Sequence, residues 1–156
     1  MGIDWKHQLV ILDGAMGTVL QQRGLPPGGQ PELLNLTKPE LLDAVYREYI
    51  DAGSQVIYTN TFGANGLKLR RTGHSVEEVI SAAVRLAKNA ASGTGTLVAL
   101  DVGPLGELLE PMGSLPFEEA YGLFREMMEA GADAGADPEI AQGLADVQFH
   151  TVPPCV

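Results

Sequence analysis

Three stretches of the chain place polar groups directly after an apolar run: Asp13 and Gly14 in LVILDGAMGT, Thr59, Asn60 and Thr61 in QVIYTNTFGAN, and Asp101 in LVALDVGPLGELLEP. A carboxylate at the tip of an apolar strand, beside backbone without side chains, suits ligand contact, because a missing Cβ lets a ligand approach the main chain. The same residues also have local uses. Asp-Gly is common turn chemistry, Thr59 to Thr61 could satisfy backbone groups at a strand exit, and Asp101 could cap the following turn. Gly103, Pro104 and Gly106 make no phosphate cradle of the Walker type, since no Gly-Lys-Ser/Thr follows them. No Ser-His-Asp set or pair of catalytic carboxylates stands out.

The elements that must position these groups follow from periodicity. Leu9–Leu12, Val56–Tyr58 and Leu97–Leu100 are short aliphatic runs closed by turn residues, and they read as buried strands. Between them lie helical stretches. Residues 18–23 form a short helix ended by Gly24, and LPPGGQPELLN reads as a loop. Thr37 and Glu40 have capping-box spacing ahead of Leu41, Leu42, Val45, Tyr46, Tyr49 and Ile50. Ser75 and Glu78 repeat that spacing ahead of Val76, Val79, Ile80, Ala83, Val84 and Ala87. A fourth helix over 117–130 has Phe117, Tyr121, Phe124, Met127 and Met128 as its apolar, core-facing side. Strand, polar loop and helix, three times over, imply parallel strands joined by helical crossovers. The expected class is α/β. Barrel and open-sheet versions both bind ligands at the carboxyl ends of the strands, so the three polar loops should converge on one site.

Composition excludes several functions. Ten Lys and Arg against twenty Asp and Glu give a net charge of −10, which opposes binding to nucleic acid or to anionic membrane surfaces. No stretch approaches the roughly 18 unbroken apolar residues of a membrane span. Met1 to His7 does not read as a secretory leader, so the cytoplasm is the expected compartment. The single cysteine, Cys155, permits no internal disulfide and no zinc site built on two cysteines of this chain. Cys155 and His150 are near each other in sequence, but zinc wants four positions filled. His7 and His74 read as surface residues, as do Glu107 and Glu110.

Taken together, ILDGAMGT, VIYTNTFGAN and DVGPLGELLEPMG, in this order with helices between them, resemble the homocysteine S-methyltransferase family, in its cobalamin-dependent methionine synthase branch. The resemblance covers about residues 8–133. It implies a (β/α)8 TIM barrel that binds homocysteine as a zinc thiolate, with methylcobalamin on a separate module as the methyl donor. It also implies that Asp13 and Gly14 contact homocysteine, Asp13 through the ammonium or by organising the zinc centre, and that Thr59, Asn60 and Asp101 line the same mouth. The family's zinc cysteines stand in Gly-x-Asn-Cys and Gly-Gly-Cys-Cys-Gly phrases, and neither occurs here. A barrel of this type needs about 250 residues. Residues 1–133 are therefore expected to form its first three to four βα units, and 134–156, where AGAD is written twice and patterning fades, a divergent tail, as a misjoined reading frame would produce. Such a half leaves strand edges open and invites a complementary barrel half or self-association. A non-catalytic half-barrel that binds a small amino acid, or a different α/β enzyme using the same loops, is the competing expectation.

Overall fold

Val56–Tyr58 (β1) and Leu97–Ala99 (β2) pair in parallel, with Val56 opposite Leu97, Ile57 opposite Val98 and Tyr58 opposite Ala99. The structure, a computed structural model, describes residues 7–137. The helices are α1 (Met16–Gln22), α2 (Leu34–Thr37), α3 (Pro39–Asp51), α4 (Gly66–Leu69), α5 (Val76–Ala91) and α6 (Phe117–Asp133), with a 3-10 turn at Pro31–Leu33. α3 connects the first apolar segment to β1, and α5 connects β1 to β2, so both connections are the crossovers that parallel pairing demands.

The sheet separates two kinds of burial because successive side chains on a strand point to opposite faces. Ile57 and Val98 join Leu20, Leu42, Val45, Tyr46 and Ala87 in the main core, where α1, α3 and α5 cover them. Val56 and Ala99 pack on the other face with the partly buried Val10, Tyr58 and Leu97. α5 lies centrally in the helical layer and packs against both α3 and α6. Its start is secured by Ser75, whose hydroxyl accepts from Glu78 N at 3.0 Å, a cap that contributes about 1 kcal/mol. The Glu78 carboxylate does not complete the box; it meets His74 Nδ1 at 3.0 Å instead.

Four expectations need correction. Leu9–Leu12 is not a regular buried strand: only Leu12 forms a parallel bridge, with Val56, and Leu9 is 87% exposed. Asp13 N donates to Val56 O and Gln55 N to Ile11 O, so the segment is paired with β1 along one edge. Thr37 does not cap α3. It ends α2, where its hydroxyl donates back to Leu33 O at 2.9 Å, and Pro39 opens α3 at a position that tolerates a missing N–H. The stretch expected to be all loop contains the 3-10 turn and the first two residues of α2, with Glu32, Leu34 and Asn35 buried. Finally, α6 buries Ala120, Met127, Ala130 and Gly131, leaving Phe117, Tyr121, Phe124 and Met128 exposed. Gly131 permits a close approach on the inward face: a Cβ there would collide with the Leu100 side chain.

Past α6 the chain returns to the sheet. Asp137 N donates to Val98 O at 3.0 Å, and its carboxylate accepts from Val98 N at 2.8 Å and from Lys88 Nζ at 2.9 Å. The outward backbone groups of β2 at Val98 are thus satisfied by one residue. The remaining residues of the expected tail, with His150 and Cys155, lie outside the described residues. Among the described residues no helix is long and apolar enough to cross a membrane.

Candidate functional site

Each of the three polar loops begins where its strand or strand-like segment stops, and together they wall a cleft of about 580 Å3, within the roughly 300–1,000 Å3 usual for small-molecule sites. Asp13, Gly14, Thr59, Asn60 and Asp101 all line it. Asp13 is fixed at its backbone by the bond to Val56 O and at its side chain by Tyr58 N, which donates to Oδ2 at 3.0 Å. The other oxygen, Oδ1, is buried and has no hydrogen-bond partner among the described residues. Beside it Gly14 lies over Tyr49, where a Cβ would stand 3.0 Å from the phenol oxygen. A side chain at Gly14 would press on that ring, so glycine suits the packing there.

Thr59 and Thr61 are nearly inaccessible and their hydroxyls are spent internally. Thr61 Oγ1 donates to Asp101 O at 2.7 Å, and Asp101 N donates to Thr59 Oγ1 at 3.1 Å. The 2.7 Å contact between the two hydroxyls then has Thr59 as donor. This network ties the loop after β1 to the loop after β2 and sets the position of Asp101. Asn60 is pinned similarly. Its N–H donates to the buried Tyr46 hydroxyl at 2.9 Å, its amide donates to Pro31 O at 2.7 Å, and its carbonyl accepts from Asn35 Nδ2 at 2.8 Å. Thr59 and Asn60 therefore shape the cleft through the groups they hold.

Two lining residues are not apparent from sequence. Glu32 is only 7% exposed, and its Oε1 accepts from Gly63 N at 2.6 Å. A glutamate in a Pro/Gly-rich stretch of an acidic chain reads as solvated; its only local signal is the Pro31 that opens the 3-10 turn. Phe62 is 52% exposed in the wall of the cleft, and nothing in its spacing distinguishes it from a core aromatic.

Asp13, Glu32 and Asp101 all line the cleft, and no Lys, Arg or His lines it among the described residues. Burial raises the pKa of Asp13 to about 6; the Tyr58 N–H opposes the rise, and the Asp101 charge adds to it. Burial likewise raises Asp101 to about 6, with the Glu32 charge adding. Such a site favours a cationic group over an anion, because a cation relieves the mutual repulsion of the carboxylates. Among the described residues no group of three or more His, Cys, Asp or Glu could hold a metal ion.

An acidic cleft at the carboxyl ends of parallel strands with helical crossovers marks an α/β protein with a candidate small-molecule site. The homocysteine S-methyltransferase family model matches residues 10–148, and the chain belongs to that family. It is 28% identical to methionine synthase from Mycobacterium tuberculosis (strain ATCC 25618 / H37Rv) in an alignment 156 positions long that covers 90% of this chain and 13% of the relative. The methionine synthase of Mycobacterium leprae (strain TN) matches to the same extent. The oxidized form of the homocysteine methyltransferase MmuM from Escherichia coli superposes with a TM-score of 0.72 and 30% identity, covering 85% of this chain and 52% of that one. Its metallated form gives 0.71 and 28%, over 84% and 52%. The chain thus spans about half the length of MmuM and a small part of the methionine synthases.

Proposed function

We propose that the chain forms the amino-terminal βα units of a (β/α)8 homocysteine S-methyltransferase barrel and binds homocysteine by its ammonium group. The observation that carries this reading is Asp13 Oδ1, a buried acceptor without a partner in the wall of an acidic cleft. A buried acceptor left unmade costs about 1–3 kcal/mol, so a donor supplied by the ligand is favoured there. Asp101 and Glu32 add negative potential, and Gly14 leaves the backbone accessible. These residues bind and orient the ligand; no described group is placed to deprotonate its thiol.

Among the described residues no group of three or more His, Cys, Asp or Glu could hold the zinc that the family resemblance implies, and the methylcobalamin it implies would be carried on a separate module. Methyl transfer on this reading requires residues beyond those described, and the chain alone is inactive. The exposed Leu9 and Ile11 and the exposed Phe117, Tyr121, Phe124 and Met128 on α6 favour a second reading, in which the chain assembles with a complementary barrel half. Titration of the purified chain with homocysteine by calorimetry, with and without added zinc, tests the proposal. Zinc-independent binding in the millimolar to micromolar range is expected, and no heat at 10 mM homocysteine would refute it.

A further inference from the structure

We propose that Glu32 is a positioning residue for Asp101, acting through residues 61–63 of the loop after β1. This deepens the reading of an ammonium site, and its consequence for ligand binding rests on that reading. Residues 61–63 form a junction tied on both sides. Toward β2, Thr61 Oγ1 donates to Asp101 O at 2.7 Å and the Phe62 carbonyl accepts from Gly103 N at 3.1 Å. Toward the 3-10 turn, Gly63 N donates to Glu32 Oε1 at 2.6 Å. Both approaches are too close for a side chain: a Cβ on Gly63 would collide with the Glu32 carboxylate, and a Cβ on Gly103 with the Phe62 carbonyl. The turn is itself fastened to this stretch, since Pro31 O accepts from Asn60 Nδ2 at 2.7 Å, Asn35 Nδ2 donates to Asn60 O at 2.8 Å and Gln30 Nε2 donates to Lys68 O at 3.1 Å. A displacement of Glu32 therefore reaches Asp101 through a short run of tied main chain.

A neutral amide could also accept from Gly63 N, and burying a charge costs more than burying an amide. The charge at Glu32 thus points to a use besides the hydrogen bond, which is its field at Asp101. Both carboxylates line the cleft, and burial, followed by the Glu32 charge, raises Asp101 to about 6. Of the other titratable groups packed around the cleft, Asp13 is a third carboxylate in the same lining. Tyr46 and Tyr58, both raised above the ordinary tyrosine value by burial, stay neutral. Lys68 Nζ is directed to Pro104 O at 3.0 Å. In a cleft that takes an ammonium, Glu32 thereby helps set the pH below which Asp101 is protonated and lost as an anionic partner.

The test follows the Asp101 carboxyl by carbon NMR titration and the Gly63 amide by hydrogen exchange, in the ligand-free full chain. Glu32→Gln keeps an acceptor for Gly63 N and removes the charge, so the Asp101 midpoint should move to lower pH while Gly63 exchange stays within about twofold. Glu32→Asp keeps the charge and shortens the reach. The Gly63 amide should then exchange about tenfold faster, as a buried donor that loses its partner does, with the Asp101 midpoint closer to wild type than in Glu32→Gln. An Asp101 midpoint unmoved in Glu32→Gln or moved equally in both variants, or a Gly63 amide unaffected in Glu32→Asp, overturns the proposal, as does unfolding of Glu32→Gln in a thermal melt. With homocysteine as ligand in calorimetry, the loss of affinity from pH 7 to pH 5, about tenfold in the wild type, should be smaller in Glu32→Gln. A wild-type chain that binds no homocysteine refutes the ammonium reading alone, because the titration and the exchange need no ligand.

Discussion

Asp13 and Tyr58 are joined across the sheet by a 3.0 Å hydrogen bond from the Tyr58 N–H to Asp13 Oδ2, while Asp13 Oδ1 stays buried and unpartnered. One oxygen of the carboxylate is thus structural and the other is available to a ligand. Asp13→Asn separates the two uses. The amide oxygen can still accept from Tyr58, and the buried negative charge disappears, so thermal stability should hold or rise. The amide cannot offer the ligand an anionic acceptor, and homocysteine affinity should fall at least tenfold by calorimetry. An unfolded variant, or one with wild-type affinity, would show that the two oxygens are not divided in this way.

Ligand affinity and stability should respond to pH in opposite directions. Asp13 and Asp101 have pKa values raised to about 6 from 3.8. Between these values the folded state binds more protons than the unfolded one, so their contribution to stability is complete below about pH 3.8 and is lost as pH rises through 6. The thermal midpoint should therefore rise from pH 7 to pH 5, and Asp13→Asn should reduce that rise. Over the same interval ammonium binding should weaken about tenfold, because a group with a pKa near 6 is mostly protonated at pH 5. Calorimetry at the two pH values and parallel melts of both proteins check both directions.

Tyr46→Phe should destabilise the fold without altering the charge of the cleft. The Tyr46 hydroxyl is buried and accepts from Asn60 N at 2.9 Å. Its loss leaves a buried N–H unpaired, at about 1–3 kcal/mol. Urea denaturation should report that decrease, with the loop after β1 loosened and ligand affinity lowered as a secondary effect.

Asp137→Ala should expose the β2 edge. The carboxylate now satisfies Val98 N and pairs with Lys88, and an unpaired edge is a template for another chain. Faster amide hydrogen exchange at Val98 and concentration-dependent association by light scattering are the expected outcomes. Unchanged exchange would mean that the main-chain bond from Asp137 N to Val98 O holds the edge alone.

Much of this protein was determined within short windows of sequence. β1, β2 and α5 form where their apolar spacing places them, and Ser75 caps α5, because each depends on residues a few positions apart. Asp13, Gly14, Thr59, Asn60 and Asp101 converge for a related reason: parallel strands joined by crossovers bring every strand exit to the same end of the sheet. Tertiary structure decided what depends on distant neighbours. Glu32 became a buried acceptor because Gly63 N comes to meet it, and Asn60 is held by Asn35, Pro31 and Tyr46 from other elements. α6 turned Ala120, Met127, Ala130 and Gly131 inward, Leu100 leaving no room for a side chain at Gly131, and its aromatic residues Phe117, Tyr121 and Phe124 face out although their periodicity matches that of a core face. Spacing along a helix shows which residues share a face, but only packing against the rest of the molecule determines which face is buried.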